Sequence, residues 1–171
     1  MQAAFIASEY NPFHNGHQYH INETRKYGAD AVICIMSGNF VQRGDIAIAQ
    51  KHIRANAAVL GGADLVIELP LKYAISTASY FARGFTETAK ATGLNGFLSF
   101  GAENSLDELF AVKDIIYSDE CEKYTSDKLS EGISYPAAKS DFVKEFYPEV
   151  NSQILNEANN ILSLEYLKSR D

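Results

Sequence analysis

Two histidines three residues apart, His14 and His17, are the side chains of this sequence best suited to chemistry. Residues i and i+3 share one face of a helix, and Gly16 between them has no side chain to block a close backbone approach. Imidazoles on one face can hydrogen-bond phosphate oxygens, and they can stabilise the charge that grows as an α-phosphorus is attacked and pyrophosphate leaves. The spacing therefore favours electrostatic catalysis at a phosphate.

The same histidines allow two other interpretations. A pair with this spacing is also typical of helix-capping or surface histidines. His20 extends the pattern to HxxHxxH, and imidazole is a common zinc ligand. Positions i, i+3 and i+6 drift around a helix, however, and neither an HExxH pattern nor a nearby cysteine accompanies them. We therefore expect no metal site here, and we expect the neighbouring carboxylate of Glu9 either to end the first strand or to contact a ligand.

The elements that must position these histidines alternate between strand and helix. Short apolar runs at 3–7, 31–36, 64–69 and 96–100 predict buried parallel strands, and helical segments separate them at 16–27, 50–60 and 76–92. This alternation predicts an α/β fold with a parallel sheet. Ligands bind at the carboxyl ends of such strands, where the first turn of a helix offers free N–H groups to an anion. The histidine turn follows the first strand and is expected at that edge.

The remainder of the chain is predicted to be helical. Segments 105–117, 120–132, 136–146 and 160–168 all read as helices, with Ser105 and Glu108 forming a capping box and Pro136 at a first helical position. We therefore expect a core over residues 1–104, with a helical extension over residues 105–171 packed on it as a single structural unit.

A polar loop, SGNFVQRGD at residues 37–45, follows the second strand and should lie beside the histidines. Loops at strand ends often carry specificity, although a surface connection with turn glycines is the plainer alternative. Four of its side chains could orient a second substrate or the departing phosphates: Ser37, Asn39, Gln42 and Arg43. Lys51 and Arg54 lie three apart in the next helix, where they could reach phosphate or RNA, but we expect them on a solvated face.

Three further positions have both a structural and a functional interpretation. The aromatic residues around Phe81 and Phe85 are expected to pack against the sheet. The pair Asn159 and Asn160 suits a helix cap, with nucleotide recognition as the alternative. Gly101, just beyond the fourth strand, would let the backbone pass close beneath a base or a ribose.

Composition limits the classes of protein to consider. The 171 residues are 46% apolar, which excludes a disordered chain, and the formal charge of -7 argues against a broad basic surface for nucleic acid. Neither GxGxxG after a strand nor GxxxxGK[ST] is present. The two cysteines, Cys34 and Cys121, fit reduced thiols. Without a leader-like start or an apolar run approaching about 18 residues, we expect a soluble, cytoplasmic protein with no membrane contact.

Five segments in order resemble one family: HNGH after strand one, SGNFVQRG after strand two, GADLVIELP at strand three, FGAEN after strand four and NNILSLEYL near the end. The chain resembles the tRNA(Met) cytidine acetate ligase family, within the HIGH-type nucleotidyltransferase superfamily, from residue 3 to about residue 168. The resemblance implies a Rossmann-like parallel sheet of the HIGH nucleotidyltransferase type with a helical carboxyl-terminal extension.

The resemblance also implies a two-step reaction. Acetate would attack the α-phosphate of ATP to give acetyl-adenylate and pyrophosphate, and the acetyl group would pass to N4 of the wobble cytidine in elongator tRNA(Met), forming N4-acetylcytidine. ATP would be a substrate, accompanied by Mg²⁺. His14 and His17 would be catalytic, and ATP contacts would come from Gly101, from Asn159 or Asn160, and from a continuous segment comprising Ala7, Ser8, Glu9, Tyr10, Asn11, Pro12, Phe13, His14, Asn15, Gly16, His17, Gln18, Tyr19 and His20.

The sequence also departs from the family. Members resembling this chain continue with an arginine-containing ATP-binding motif, basic tRNA-binding elements and a second superfamily motif, and none of these occurs here. The chain is therefore either an amino-terminal fragment or a shortened relative, and we expect the fragment. Two other functions stay open: a small-molecule nucleotidyltransferase of the pantetheine-phosphate or nicotinamide type, which uses the same His-x-Gly-His turn, and a non-catalytic module that binds nucleotide or RNA.

Overall fold

A computed structural model describes residues 1–170, apart from the side chain of Arg43. Its centre is a four-stranded parallel sheet in the order β3-β2-β1-β4. The strands are β1 (Ala3–Ser8), β2 (Ala31–Ser37), β3 (Leu65–Leu69) and β4 (Gly96–Ser99). The four predicted strands and the α/β, Rossmann-like class are confirmed. Because Ser8 pairs with Met36, the carboxyl ends of the two central strands lie side by side.

Four helices join these strands: α1 (Asn15–Lys26), α2 (Lys51–Leu60), α3 (Leu71–Ala74) and α4 (Ala78–Ala91). The short α3 was not predicted from the sequence. It begins directly after Pro70. Gly84 of α4 makes room for the ring of Tyr73, which lies in α3. A β-carbon at Gly84 would lie 2.2 Å from that ring, so the glycine permits α3 and α4 to pack closely.

Alternate residues of each strand point to opposite faces of the sheet, and helices cover both faces. On one face, Ile6 and Cys34 belong to a buried cluster that includes Ile21 of α1 and Ala58 of α2. On the opposite face, α4 contacts β2 and β3 and buries Phe85. Phe81 is buried as well, so the predicted packing is confirmed for Phe81 and Phe85, whereas for the neighbouring Tyr80 it was wrong, because that side chain is exposed.

The chain divides into two compact units, Met1–Gly101 and Ala102–Asp171. The second unit contains α5 (Leu106–Ile116), α6 (Asp119–Ser130), α7 (Tyr135–Phe146) and α8 (Ala158–Arg170). The capping box of Ser105 and Glu108 is confirmed, while Pro136 occupies the second rather than the first position of α7. That the two units form a single structural unit stays a prediction. No helix within residues 1–170 is long and apolar enough to cross a membrane.

A buried ammonium group joins the helices of the second unit. Lys139 of α7 donates to the carbonyl oxygen of Ile116 at 2.7 Å and to the Glu122 carboxylate at 2.9 Å. Its Nζ also lies 4.4 Å and 4.5 Å from the ring centroids of Tyr117 and Tyr135. A buried charge must be paired and hydrogen-bonded, and these contacts meet that requirement.

Candidate functional site

The two histidines of the opening turn cap the helix on which they lie. His14 is the N-cap of α1, and its Nδ1 accepts a hydrogen bond from the N–H of Gly16 at 3.1 Å. His17 Nδ1 accepts from the N–H of His14 at 3.2 Å. A backbone N–H can only donate, so both Nδ1 atoms carry a lone pair and the hydrogen of each neutral ring is on Nε2. The capping bonds therefore leave each histidine with its Nε2–H as a donor.

The two imidazoles also lie together, as the spacing predicted. Their ring centroids are 3.7 Å apart and the ring planes are inclined by 22°. Burial, followed by the proximity of His14 and of His20, lowers the pKa of His17 to about 4. His17 is consequently neutral at physiological pH, and it can act as a hydrogen-bond donor without carrying a charge.

The depressed pKa of His17 predicts how stability should change with pH. Because the folded pKa of about 4 lies below the reference value of 6.5, the unfolded chain takes up this proton first as pH falls. The contribution of neutral His17 to the free energy of unfolding is thus fully present above pH 6.5 and is lost as pH falls toward 4. We expect His17→Asn to lose less stability over this interval than the wild type in urea unfolding titrations. Parallel pH profiles for the two proteins would contradict this assignment.

Gly16 provides the space that the His14 ring occupies. A β-carbon at this position would lie 3.0 Å from Cε1 and 3.1 Å from Nδ1 of His14. In Gly16→Ala we expect the imidazole to shift by a few tenths of an ångström, although alanine itself favours the helix by up to about 1 kcal/mol. If His14 acts at a phosphate as its spacing predicts, a misplaced ring should lower the rate about tenfold, while the melting temperature stays level or rises. An unchanged rate would show that the position of this ring is not critical.

Residues just before the histidines hold the turn against the core. Tyr10 adopts a left-handed backbone conformation (φ 47°) and is buried, with its hydroxyl 3.0 Å from the Sγ of Cys34. Its ring contacts Phe13 and His17 edge-on, at centroid distances of 5.0 Å and 4.9 Å. Burial raises the pKa of Cys34 to about 11, so this thiol is protonated and inert at neutral pH. These side chains form a packed base beneath His17.

Phe13 reaches its place because Gly61, at the end of α2, has no side chain. A β-carbon at Gly61 would lie 2.3 Å from Cζ of the phenylalanine ring. The remaining members of the predicted ATP-binding segment lie around this base. Ala7 is half-buried and Ser8 is buried at the end of β1, and the exposed residues are Asn11, Pro12, Asn15, Gly16, Gln18 and Tyr19. The third histidine, His20, is half-buried and bonds to Ser99 at the end of β4.

The polar loop and the residues that follow it up to α2, together residues 37–50, are tied to the histidine turn through two side chains. Glu9 accepts from the N–H of Gln42 at 2.7 Å, and the Asn11 side-chain oxygen accepts from the N–H of Ile48 at 2.7 Å. The prediction that the loop lies at the same edge of the sheet as the histidine turn is confirmed. Glu9 and Asn11 belong to the predicted ATP-binding segment, and the structure shows their side chains holding this loop.

Within the loop, the four predicted substrate residues have different environments. The Asn39 side-chain oxygen accepts from the N–H of Lys51 at 3.0 Å, at the start of α2. Ser37 is fully buried, and its Oγ has no hydrogen-bond partner among residues 1–170. Gln42 opens a short 3-10 turn, and the side chain of Arg43 lies outside the described part of the chain. A substrate-orienting role for these four residues stays a prediction.

The sequence interpretation of Arg54 was wrong. The residue is 1% exposed, and its guanidinium donates to backbone carbonyls at both ends of the loop and at the end of β1. The acceptors are the carbonyl oxygens of Glu9, Ser37, Gly38 and Ala49. Arg54 shares the buried face of α2 with Ala58, four residues later, and this spacing was the available signal. Lys51, by contrast, is partly exposed and pairs with the exposed carboxylate of Glu68 at 2.6 Å, which is compatible with a solvated face.

The other predicted ATP contacts lie outside the histidine turn. Gly101 ends the first unit and is exposed, and a β-carbon there would meet no described atom within 4 Å. Packing within the protein therefore does not require glycine at this position.

In the second unit, Asn160 is fully buried inside the first turn of α8, so it is not the helix cap that the sequence suggested. Its Oδ1 accepts from the N–H groups of Glu103 and Asn104, and its Nδ2 donates to the side chain of Asn104 at 2.8 Å. The Glu103 carboxylate accepts in return from the Asn160 N–H and from Asn159 Nδ2. Asn160 is therefore a structural clamp, whereas Asn159 is exposed.

Comparison with known proteins identifies relatives of this chain. The chain is 43% identical to the tRNA(Met) cytidine acetate ligase of Acetivibrio thermocellus and 41% identical to that of Clostridium novyi. Each match covers 99% of this chain but only 42% and 44% of the relative. The chain thus spans less than half the length of the curated relatives it matches.

A solved structure shares both the fold and the sequence. The crystal structure of Thermotoga maritima TmcAL bound with alpha-thio ATP matches with a TM-score of 0.90 and 36% identity, over 99% of this chain and 43% of that one. The model of the HIGH Nucleotidyl Transferase family matches residues 1–171. From the capped histidine turn, the parallel sheet and these matches together, the chain belongs to the HIGH nucleotidyl transferase family.

Proposed function

We propose that this chain is the nucleotide-activating part of a tRNA(Met) cytidine acetate ligase. In the first step an acetate oxygen attacks the α-phosphorus of ATP, forming acetyl-adenylate and releasing pyrophosphate. In the second step N4 of the wobble cytidine of elongator tRNA(Met) attacks the acetyl carbon, AMP leaves, and N4-acetylcytidine forms. The names of the relatives support this assignment, and the solved neighbour is described as bound to an ATP analogue.

The observation that carries the proposal is the pair of histidine donors at the start of α1. Their Nδ1 atoms are engaged by backbone N–H groups, so the Nε2–H groups of His14 and His17 are left for a ligand. The N-terminus of a helix also favours negative charge. A triphosphate is the ligand that suits two parallel donors at this position.

The chemistry of the first step fits neutral donors. Carboxylic acids are ionised at neutral pH, so acetate needs no general base to become a nucleophile. Charge grows on the oxygens around the α-phosphorus and on the departing pyrophosphate, and donors fixed in advance stabilise that charge without reorganising. His14 and His17 would therefore act electrostatically, and neither would have to transfer a proton in this step.

The remaining contacts in the proposal follow from where the residues lie. We assign the ATP site of the first unit to residues 7–20 and Gly101. Of the two asparagines at the start of α8, Asn160 is buried as a clamp, so we choose the exposed Asn159 as the one available to a nucleotide. Among residues 1–170 no group of His, Cys, Asp or Glu is arranged to hold a metal ion. Mg²⁺ would accordingly enter with the nucleotide, held mainly by phosphate oxygens and water.

The second step requires tRNA to bind, and this chain is only partly suited to that. A formal charge of -7 provides no broad surface for phosphate backbones, which supply much of the affinity for RNA. We therefore assign tRNA binding to the additional length of relatives that are more than twice as long as this chain. The loop at residues 37–50 would orient the acetyl acceptor or the departing phosphates.

The test is ATP–pyrophosphate exchange, measured with this chain and with the full-length Acetivibrio thermocellus relative. We expect exchange that depends on acetate, and ATP binding by the chain that is weakened in His17→Ala. Exchange that requires nicotinate mononucleotide or phosphopantetheine instead would indicate a small-molecule nucleotidyltransferase. ATP binding without exchange in either protein would indicate a nucleotide-sensing module, and either result would refute the proposal.

A further inference from the structure

The third histidine of the HxxHxxH pattern, His20, belongs to a separate hydrogen-bond network. His20 Nε2 lies 2.9 Å from the Oγ of Ser99 at the end of β4, and this Oγ lies 2.7 Å from the Oγ1 of Thr24. The Thr24 hydroxyl donates to the carbonyl oxygen of His20 at 2.8 Å. Three residues thus link α1 to the carboxyl end of β4, the same sheet edge at which His14 and His17 lie.

The directions of these hydrogen bonds follow from counting hydrogens. Thr24 has one hydroxyl hydrogen, which goes to the His20 carbonyl, so its oxygen accepts from Ser99. The single hydrogen of Ser99 is thereby committed to Thr24, and its oxygen must accept from His20 Nε2–H. Burial lowers the pKa of His20, in agreement with a neutral ring. His20 therefore has its Nε2–H bound to protein and its Nδ1 without a hydrogen.

This arrangement sets His20 apart from the other two histidines. In His14 and His17 the helix cap engages Nδ1 and leaves the Nε2–H for a ligand. In His20 the Nε2–H is committed to Ser99, so the ring has no N–H left to offer a phosphate. The oxygens of an ionised phosphate only accept hydrogen bonds. His20 has no N–H left to donate, so it is not suited to a third phosphate contact.

We propose that Ser99 and Thr24 are positioning residues of the nucleotide site. Through His20 they fix the end of β4 against α1, and with it Gly101, which follows Ser99 by two residues. The ligand is a nucleoside triphosphate whose phosphates meet the donors of α1 and whose ribose or base passes over Gly101. This inference rests on the proposed function, and it adds two side chains to the machinery of that site.

Calorimetry of ATP binding to the chain tests the proposal. We expect Ser99→Ala to raise the Kd about tenfold, the effect of losing one well-placed hydrogen bond, and Ser99→Thr to restore it because the hydroxyl returns. Thr24→Val should weaken binding to a similar extent. Thr88→Val is the matched control: Thr88 makes the same bond to a backbone carbonyl four residues earlier, at 2.7 Å, but lies on α4. We expect its Kd to match the wild type.

Nitrogen-15 NMR of the imidazoles shows which ring nitrogen carries the hydrogen, and general destabilisation of the fold would not change this. In the wild type we expect His20 to be protonated at Nε2 only, and in Ser99→Ala to exchange between the two tautomers. If Ser99→Ala does not fold, Thr24→Ser is a second variant. It keeps the hydroxyl group, and with it the hydrogen bonds among the three residues, so it should bind ATP as the wild type does. A His20 ring protonated at Nδ1, or a Ser99→Ala protein with wild-type affinity, would overturn the positioning role alone. A wild-type chain without affinity for ATP would overturn this role together with the proposed function.

Discussion

The variant His14→Asn is expected to fold as stably as the wild type and yet to lose about 10²-fold or more of acetate-dependent ATP–pyrophosphate exchange. Asparagine is among the best N-cap residues, so its side-chain oxygen can accept from the Gly16 N–H in place of the imidazole Nδ1. It is too short to supply a donor where Nε2–H stood. The substitution therefore separates the capping of α1 from the stabilisation of developing charge.

Two measurements distinguish these roles. Urea unfolding should give similar free energies for His14→Asn and the wild type, whereas His14→Ala should lose about 1 kcal/mol because the Gly16 N–H loses its acceptor. The Kd of ATP should rise only several-fold in His14→Asn, since the donors act mainly on charge that appears in the transition state. If exchange by His14→Asn stays within twofold of the wild type, the histidines act as a helix cap and not as a catalytic pair.

Arg54→Met is expected to lower the free energy of unfolding by about 3–5 kcal/mol, out of the 5–15 kcal/mol typical of a domain. Methionine fills much of the same space, so the loss comes from polar groups. The guanidinium donates to four backbone carbonyls while being 1% exposed, and without it those oxygens are buried and lack their donor. Urea titrations followed by circular dichroism would measure the change.

Arg83→Met is the matched control for this prediction. Arg83 lies on α4, its side chain is 64% exposed, and it pairs with Glu87 one helical turn away at 2.7 Å. Exposed pairs of this kind contribute about 0.2–1 kcal/mol, so the control should stay close to the wild type. If Arg54→Met does not fold, Arg54→Lys retains a charge and one donor group and should fall between the two. Equal stabilities for Arg54→Met and Arg83→Met would remove the structural role of Arg54.

Periodicity and capping chemistry explain which parts of the fold could be predicted. The strands are short apolar runs bounded by turns, and the capping box of Ser105 with Glu108 depends on residues three apart. The short α3 could not be predicted, because its four residues are fewer than any periodic pattern requires. Its place depends on the contact between Tyr73 and Gly84, eleven residues later.

The site shows the same division between local and distant interactions. Spacing alone placed His14 and His17 on one face, since that face is a property of a single helical turn. Arg54 was misassigned because a charged residue is ordinarily solvated, and only the folded chain brings it to the carbonyl of Glu9, 45 residues away. Asn160 resembled a cap for a similar reason: its partners, Glu103 and Asn104, come from the other end of the unit.

The ties among Glu9, Asn11 and Arg54 have a consequence for anyone who transplants the loop between family members. The loop at residues 37–50 is held by a carboxylate, an amide and a guanidinium that all lie outside it in sequence. If the loop alone were grafted into another family member, it would lack the three side chains that hold it in this chain. The recipient's own side chains at these positions would then face a backbone to which they are not matched. The transferable unit is discontinuous: residues 37–50 together with positions 9, 11 and 54.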